Sequence, residues 1–104
     1  MAKNMNNLLR QAQQMQQKMA TLQKELESRE LDISSGGGMV KIKINGKQEI
    51  LDISLDKECV DPTDVDMLQE LVKTAVNQAV KESQDMVSGA MSKITGGVNI
   101  PGLF

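Results

Sequence analysis

Met39-Val40-Lys41-Ile42-Lys43-Ile44-Asn45-Gly46, followed by Lys47-Gln48-Glu49-Ile50-Leu51-Asp52-Ile53-Ser54-Leu55, decides the architecture of this chain. Val40, Ile42 and Ile44 alternate with Lys41, Lys43 and Asn45, the period-two pattern of a strand with one buried face. Asn45-Gly46 favours a tight two-residue turn, because both residue types tolerate positive φ. Such a turn sets Val40 opposite Leu51, with Ile53 and Leu55 extending the returning strand. Upstream, Leu31 and Ile33 alternate with Glu30, Asp32 and Ser34 and run into Gly36-Gly37-Gly38. That triplet lacks the spacing and the lysine of a phosphate-binding P-loop and reads as a turn. The expectation is a three-stranded antiparallel sheet with one apolar and one polar face.

On either side of the sheet the period changes to that of a helix. Met1, Met5, Leu8, Ala12, Met15, Met19, Leu22 and Leu26 step alternately by four and three, a heptad seam able to pack against one other helix. Methionine fills such seams adaptably, so its role here is packing. A second helix is expected from Asp64 to Thr95, about 48 Å at 1.5 Å per residue. A compact domain of this length has a radius of gyration near 13 Å, so that helix must protrude or meet a second chain. Its broad apolar arc, from Val65 to Val80, breaks near Lys81 to Asp85 and resumes at Met86, where core packing is expected to give way to an arm. Asp64 or Thr63 can cap its start, and Gly96-Gly97 ends it.

Composition removes most catalytic chemistry. The chain has 104 residues with no histidine, one cysteine, and a single aromatic residue, Phe104. Without imidazole neither a Ser-His or Cys-His pair nor a histidine-ligated metal can be built, and one thiol cannot form an internal disulfide. Cys59 sits among Asp56, Glu58 and Asp61, an acidic setting that disfavours a reactive thiolate. The carboxylates show no pair set in an apolar cleft to separate their pKa values. No catalytic residue, metal site, cofactor or small-molecule substrate is expected. The near absence of aromatic rings disfavours base stacking on single strands. No apolar run reaches the length of a membrane span, so the expected location is the cytoplasm.

Charge is unevenly distributed. Residues 1–24 carry Lys3, Arg10, Lys18 and Lys24 and no acid, whereas residues 25–70 carry 12 acids and 5 bases, and the whole chain sums to −2. At about 100° per residue, the face of the first helix opposite the heptad seam presents Lys3, Asn6, Arg10, Gln13, Gln17, Thr21 and Lys24. By pattern alone this is compatible with an ordinary solvated face. Solvated faces usually mix signs, however, and a row of hydrogen-bond donors without acids suits phosphate oxygens.

The order of these segments resembles the YbaB/EbfC family of bacterial nucleoid-associated DNA-binding proteins. The resemblance rests on Leu8-Leu9-Arg10-Gln11-Ala12-Gln13-Gln14-Met15-Gln16-Gln17-Lys18-Met19, on Gly37 through Gly46, on Asp66-Met67-Leu68-Gln69-Glu70-Leu71-Val72, and on Ala75-Val76-Asn77-Gln78-Ala79. A Gly-Gly and Pro-Gly tail follows. The resemblance implies an α+β fold with a long N-terminal helix, a three-stranded antiparallel sheet and a long C-terminal helix, assembled as a tweezer-shaped homodimer. It also implies binding of double-stranded DNA with little sequence preference and association with the nucleoid.

On this reading residues 1–97 form one domain and 98–104 a flexible tail. The expected DNA contacts are Lys3, Arg10, Lys18 and Lys24, with Asn6, Gln13 and Gln17 adding neutral hydrogen bonds and Lys93 joining from the second arm. Lys41, Lys43 and Lys47 are weaker candidates, since strand lysines commonly protect sheet edges. The alternative is a dimeric helical protein-interaction module whose heptad face and Met-rich arms hold a partner helix.

Overall fold

The computed structural model describes residues 2–94. Helix α1 (Ala2–Ser28) leads into β1 (Glu30–Ser35), β2 (Val40–Asn45) and β3 (Ile50–Leu55), then a single 3-10 turn over Lys57–Cys59 and helix α2 (Val65–Ile94). The strands form one antiparallel sheet in the order β1-β2-β3. The expected α+β fold is therefore present. The Gly96-Gly97 stop and the tail at 98–104 lie outside the described residues.

The core follows from the alternation of β1 and β2. Ile33, Val40, Ile42 and Ile44 point to one face and meet Ala75 and Ala79 of α2, with Leu31, Leu71, Val76 and Val80 packed around them. The two alanines let the helix approach the sheet closely, and burying the branched side chains supplies roughly 1.5–3 kcal/mol each. Asp64 starts α2 by accepting the Met67 amide at 3.2 Å, as a capping carboxylate does. Cys59 is buried, its thiol directed at the Asp56 carbonyl at 3.0 Å, which fits a packing role. Beside it, the Thr63 hydroxyl and amide hold the Asp61 carboxyl below its ordinary pKa.

Two details of the sheet differ from the sequence expectation. First, the β2–β3 connection is not a two-residue turn: the strands resume only at Ile50, and Val40 lies opposite Leu55 rather than Leu51. Asn45 imposes this wider loop. Its Oδ1 accepts the amides of Lys47 (2.9 Å) and Glu49 (3.0 Å), and its Nδ2 donates to the Glu49 carboxylate (3.1 Å). The left-handed residue is Gln48, at φ 64°, not Asn45 or Gly46. An irregularity between Lys43 and Ile44 leaves Leu51 as an extra residue in β3 and restores the pairing of apolar side chains, as a bulge does. Gly36-Gly37-Gly38 does form a turn, and all three take positive φ.

Second, the apolar face is not covered throughout. Helix α2 packs on β1 and β2. Ile53 and Leu55 share that face, because they pair with Ile42 and Val40, yet they remain 45% and 40% exposed. The sheet is wider than the helix laid over it. Lys41 and Lys43 occupy the central strand, so edge protection is not their role; Lys43 stands between Asp32 and Asp52 on the polar face, a favourable cross-strand arrangement.

Beyond the sheet the two helices run on together. Ser83 of α2 is buried and donates to the Asn45 carbonyl at 2.7 Å, so the apparent break at Lys81 to Asp85 is where the helix is tied to the loop. From that level α1 extends back to its start and α2 forward to its end, with Met86, Val87, Ala90 and Met91 half-buried. The result is a body 75 Å long and 22 by 17 Å in section. Replacing Ser83 with Ala strands a buried carbonyl and is expected to cost about 1–3 kcal/mol. A denaturant titration reads this loss directly, and an unchanged midpoint would show that water replaces the hydroxyl.

Candidate nucleic-acid interface

A helix seen from the end explains which expected contacts are brought together. The C-terminal third of the α1 seam is covered, with Leu26 buried and Leu22 and Met19 half-buried. The opposite face is therefore turned outward. Asn6, Arg10, Gln13, Gln17 and Lys24 all lie exposed along it. The backbone of Lys3 lies in the same helix, one turn before Asn6. At 1.5 Å per residue the row from Lys3 to Lys24 is about 31 Å long. Successive phosphates of one strand advance about 3.4 Å along a duplex, so the row spans about nine base-pair steps.

Lys18 is not on this row. It stands roughly a quarter turn away and lines a shallow hollow with Gln14, Gln17, Thr21, Leu22 and Glu25. Lys24 lies at the root of the arm, in a hollow shared with Glu27, Lys47 and Glu49. Carboxylates there offset its charge. Lys93, in the last turn of α2, faces a groove between the helices together with Leu22, Arg29, Asp85 and Gly89. Arg29 has no place in the sequence-derived set. It follows α1 seven residues after Leu22, and only the packing of α2 against α1 brings it beside Lys93.

The electrostatic layout explains how an acidic chain can carry a basic surface. Of the 14 carboxylates, 12 fall in residues 25–70 and none in 1–24. The structure converts that separation along the chain into distance. Arg10 is about 24 Å from Leu26 along the helix axis, some three screening lengths at physiological salt. The carboxylates of the body are thus screened from the outer arm. A polyanion meets attraction at the arm and repulsion at the sheet, whatever the sign of the total charge.

The long helix pair and the narrow sheet define an α+β protein with a projecting helical arm, bearing an acid-free cationic face. Residues 1–98 match the YbaB/EbfC DNA-binding family. The chain belongs to that family, which is a family of DNA-binding proteins and not of enzymes. It is 54% identical over its full length to a nucleoid-associated protein of Desulforamulus reducens, of which it covers 99%. It is 52% identical to one of Clostridium novyi, the match covering 97% of this chain and 89% of that one. The crystal structure of an uncharacterized protein, HP0035 of Helicobacter pylori, shares the fold with a TM-score of 0.72. That match covers 86% of this chain and 94% of the other at 22% identity.

Proposed function

We propose that this protein binds double-stranded DNA as a homodimer, through phosphate contacts and with little sequence preference, as a nucleoid-associated protein. The observation that carries this reading is the exposed row of Arg10, Gln13 and Gln17 on a rod that stands clear of the acidic body, with Lys24 continuing the row at its root. Its side chains donate hydrogen bonds, and no carboxylate interrupts it. Arg10 is the one arginine in the row, too little to read a sequence by bidentate guanine contacts. The names of the Desulforamulus and Clostridium relatives agree with a place on the nucleoid.

Dimerisation is supported by the uncovered part of the sheet. Ile50, Leu51, Ile53 and Leu55 on β3, with Val60, Val65 and Met67 close in sequence, are large apolar side chains left exposed. Those on β3 continue the core, and a second copy laid against them would complete it. Two arms would then double the cationic row. If they neutralise about 6–8 phosphates, log K falls with log salt at a slope of roughly −5 to −7.

The test is a gel-shift titration at two salt concentrations run beside a mass measurement in solution. A two-chain mass and steep salt dependence are expected. A monomer, or indifference to duplex DNA in dilute buffer, overturns the proposal. Across unrelated duplexes the spread in affinity is expected to stay below about a hundredfold, nearly 3 kcal/mol, within what one or two mismatched base pairs cost a specific binder. Replacing Ile53 and Leu55 together with Asp is expected to halve the solution mass while leaving the part of the core between α2 and strands β1 and β2 intact. An unchanged mass would place the interface elsewhere.

A further inference from the structure

The apolar seam of α1 stays open over its outer half. Measured from Leu26 and Ser83, which both abut the 45–49 loop, the end of α2 at Ile94 is about level with Met15. The seam is covered only from Met19 onward. Before that, Met5, Leu8 and Met15 are 69%, 63% and 43% exposed, and Leu9 beside them 63%. Large apolar side chains gathered on one exposed face mark an interaction surface.

We infer that this stretch pairs antiparallel with the same stretch of a second copy, setting Met5 of each arm against Met15 of the other and Leu8 against Ala12. The alternating steps of four and three are those of a helix that receives another helix. At the centre of this register a large side chain meets a small one from both sides, Leu8 on Ala12, which lets the layers interdigitate. The flanks favour an identical partner. Asn4, Leu9, Gln11 and Gln16, the positions beside the seam, carry no charge, and Arg10 stands on the opposite side. Charges at flanking positions select partners between paired helices, so neutral flanks let two cationic arms meet without like charges facing. A parallel pair is excluded, because α2 occupies the seam from Met19 on and the two copies of it would claim the same space. Antiparallel arms hold their bodies at opposite ends, with the Leu26 levels about 48 Å apart. The copy on the arm is therefore not the copy laid against β3; it belongs to a second dimer.

Two faces about 15 Å long and about 10 Å wide cover roughly 300 Å², far less than the about 1,200 Å² that a free-standing interface needs. Pairing therefore requires arms already held close together, and a duplex bearing several dimers supplies that. This trigger rests on the DNA-binding reading, whereas the pairing of the seam does not. Arg10, Gln13 and Gln17 face outward on both arms, so a pair presents phosphate-binding faces on two sides.

The test mixes chains carrying Met5→Cys with chains carrying Met15→Cys, treats them with a short bifunctional maleimide, and identifies the joined peptides by mass. Cys59 is buried and out of the reagent's reach. Joining of position 5 to position 15 is expected, raised at least about tenfold by duplex DNA at micromolar protein and reached without DNA at millimolar protein. Joining of 5 to 5 or 15 to 15 in preference, the result of a parallel pair, overturns the inference, as does no joining at either concentration. Leu8→Asp in both chains is expected to remove the joining, and the fold should survive because Leu8 is exposed. Persistent joining in that variant would show arms that are merely near one another and would overturn the seam pairing. A gel shift on the same samples reads DNA binding separately. Bound duplex without any rise in joining overturns the linkage to DNA. Chains that ignore the duplex yet join at millimolar concentration would refute the DNA-binding reading and leave the seam pairing supported.

Discussion

A Gly46→Ala variant is expected to lose about 3 kcal/mol or more of stability, the upper range for forcing extra volume into a packed site. The reason is not backbone freedom, since Gly46 is absent from the left-handed positions. A β-carbon at 46 would run into the carbonyl oxygen and carbon of Leu26 and the α-carbon of Glu27. These are backbone atoms at the end of α1 and cannot swing aside. Either the β2–β3 loop or the end of α1 must move; the loop is held by the Ser83 and Asn45 hydrogen bonds, and the end of α1 by the buried Leu26 side chain. For a chain of this size the midpoint of thermal unfolding should fall by about 12–24 °C. Gly37→Ala is the control. It meets no atom within 4 Å but sits at φ 68°, so its cost should stay near 1–2 kcal/mol. Equal losses in the two variants would show that the close approach at Leu26 does not limit the fold.

Arg10→Glu with Lys24→Glu is expected to abolish retention on duplex DNA while the solution mass stays unchanged. In a dimer the double change removes four cations and adds four anions along the two rows. Loss of four phosphate contacts alone makes the salt slope shallower by about 3.6, and the new carboxylates add repulsion at the same places. The single variants separate the two ends of the arm. Arg10 stands far from the carboxylates of the body, whereas Lys24 shares its surroundings with Glu27 and Glu49. Arg10→Glu should therefore weaken binding more than Lys24→Glu, as read from affinities at one fixed salt concentration. Unaltered binding in the double variant would move the interface away from this face, with Lys18, Arg29 and Lys93 the next surface to change.

Much of the fold is legible in the chain because it depends on local periodicity. Val40, Ile42 and Ile44 can share one face only in a strand, and the spacing of Met5, Leu8, Met15, Leu22 and Leu26 is that of a helix. The second helix starts at Val65, one residue from the start read from sequence, and continues to Ile94, the last described residue. The β2–β3 register was not legible. Asn45-Gly46 is a good local turn signal, yet the outcome was set by Asn45 bonding across its own loop and by Gly46 meeting Leu26, a residue twenty positions away. Local preference gave way to a tertiary contact. Arg29 was missed for a similar reason, since its nearness to Lys93 exists only once α1 and α2 are packed.

By itself the sequence determined the helix–sheet–helix order, the segregation of cations into the first 24 residues, and the lack of histidine and paired cysteines for common enzyme chemistry. These are properties of residue type and spacing, which a linear reading retains. The tertiary structure decided which apolar residues are covered and which charges are isolated. Helix α2 is narrower than the sheet, so Ile53 and Leu55 stay open. Helix α1 outruns the described end of α2, so Arg10 is held away from the acidic body and Met5 and Leu8 remain uncovered. Both outcomes follow from element widths and lengths set against one another in three dimensions, where chain proximity and spatial proximity no longer coincide.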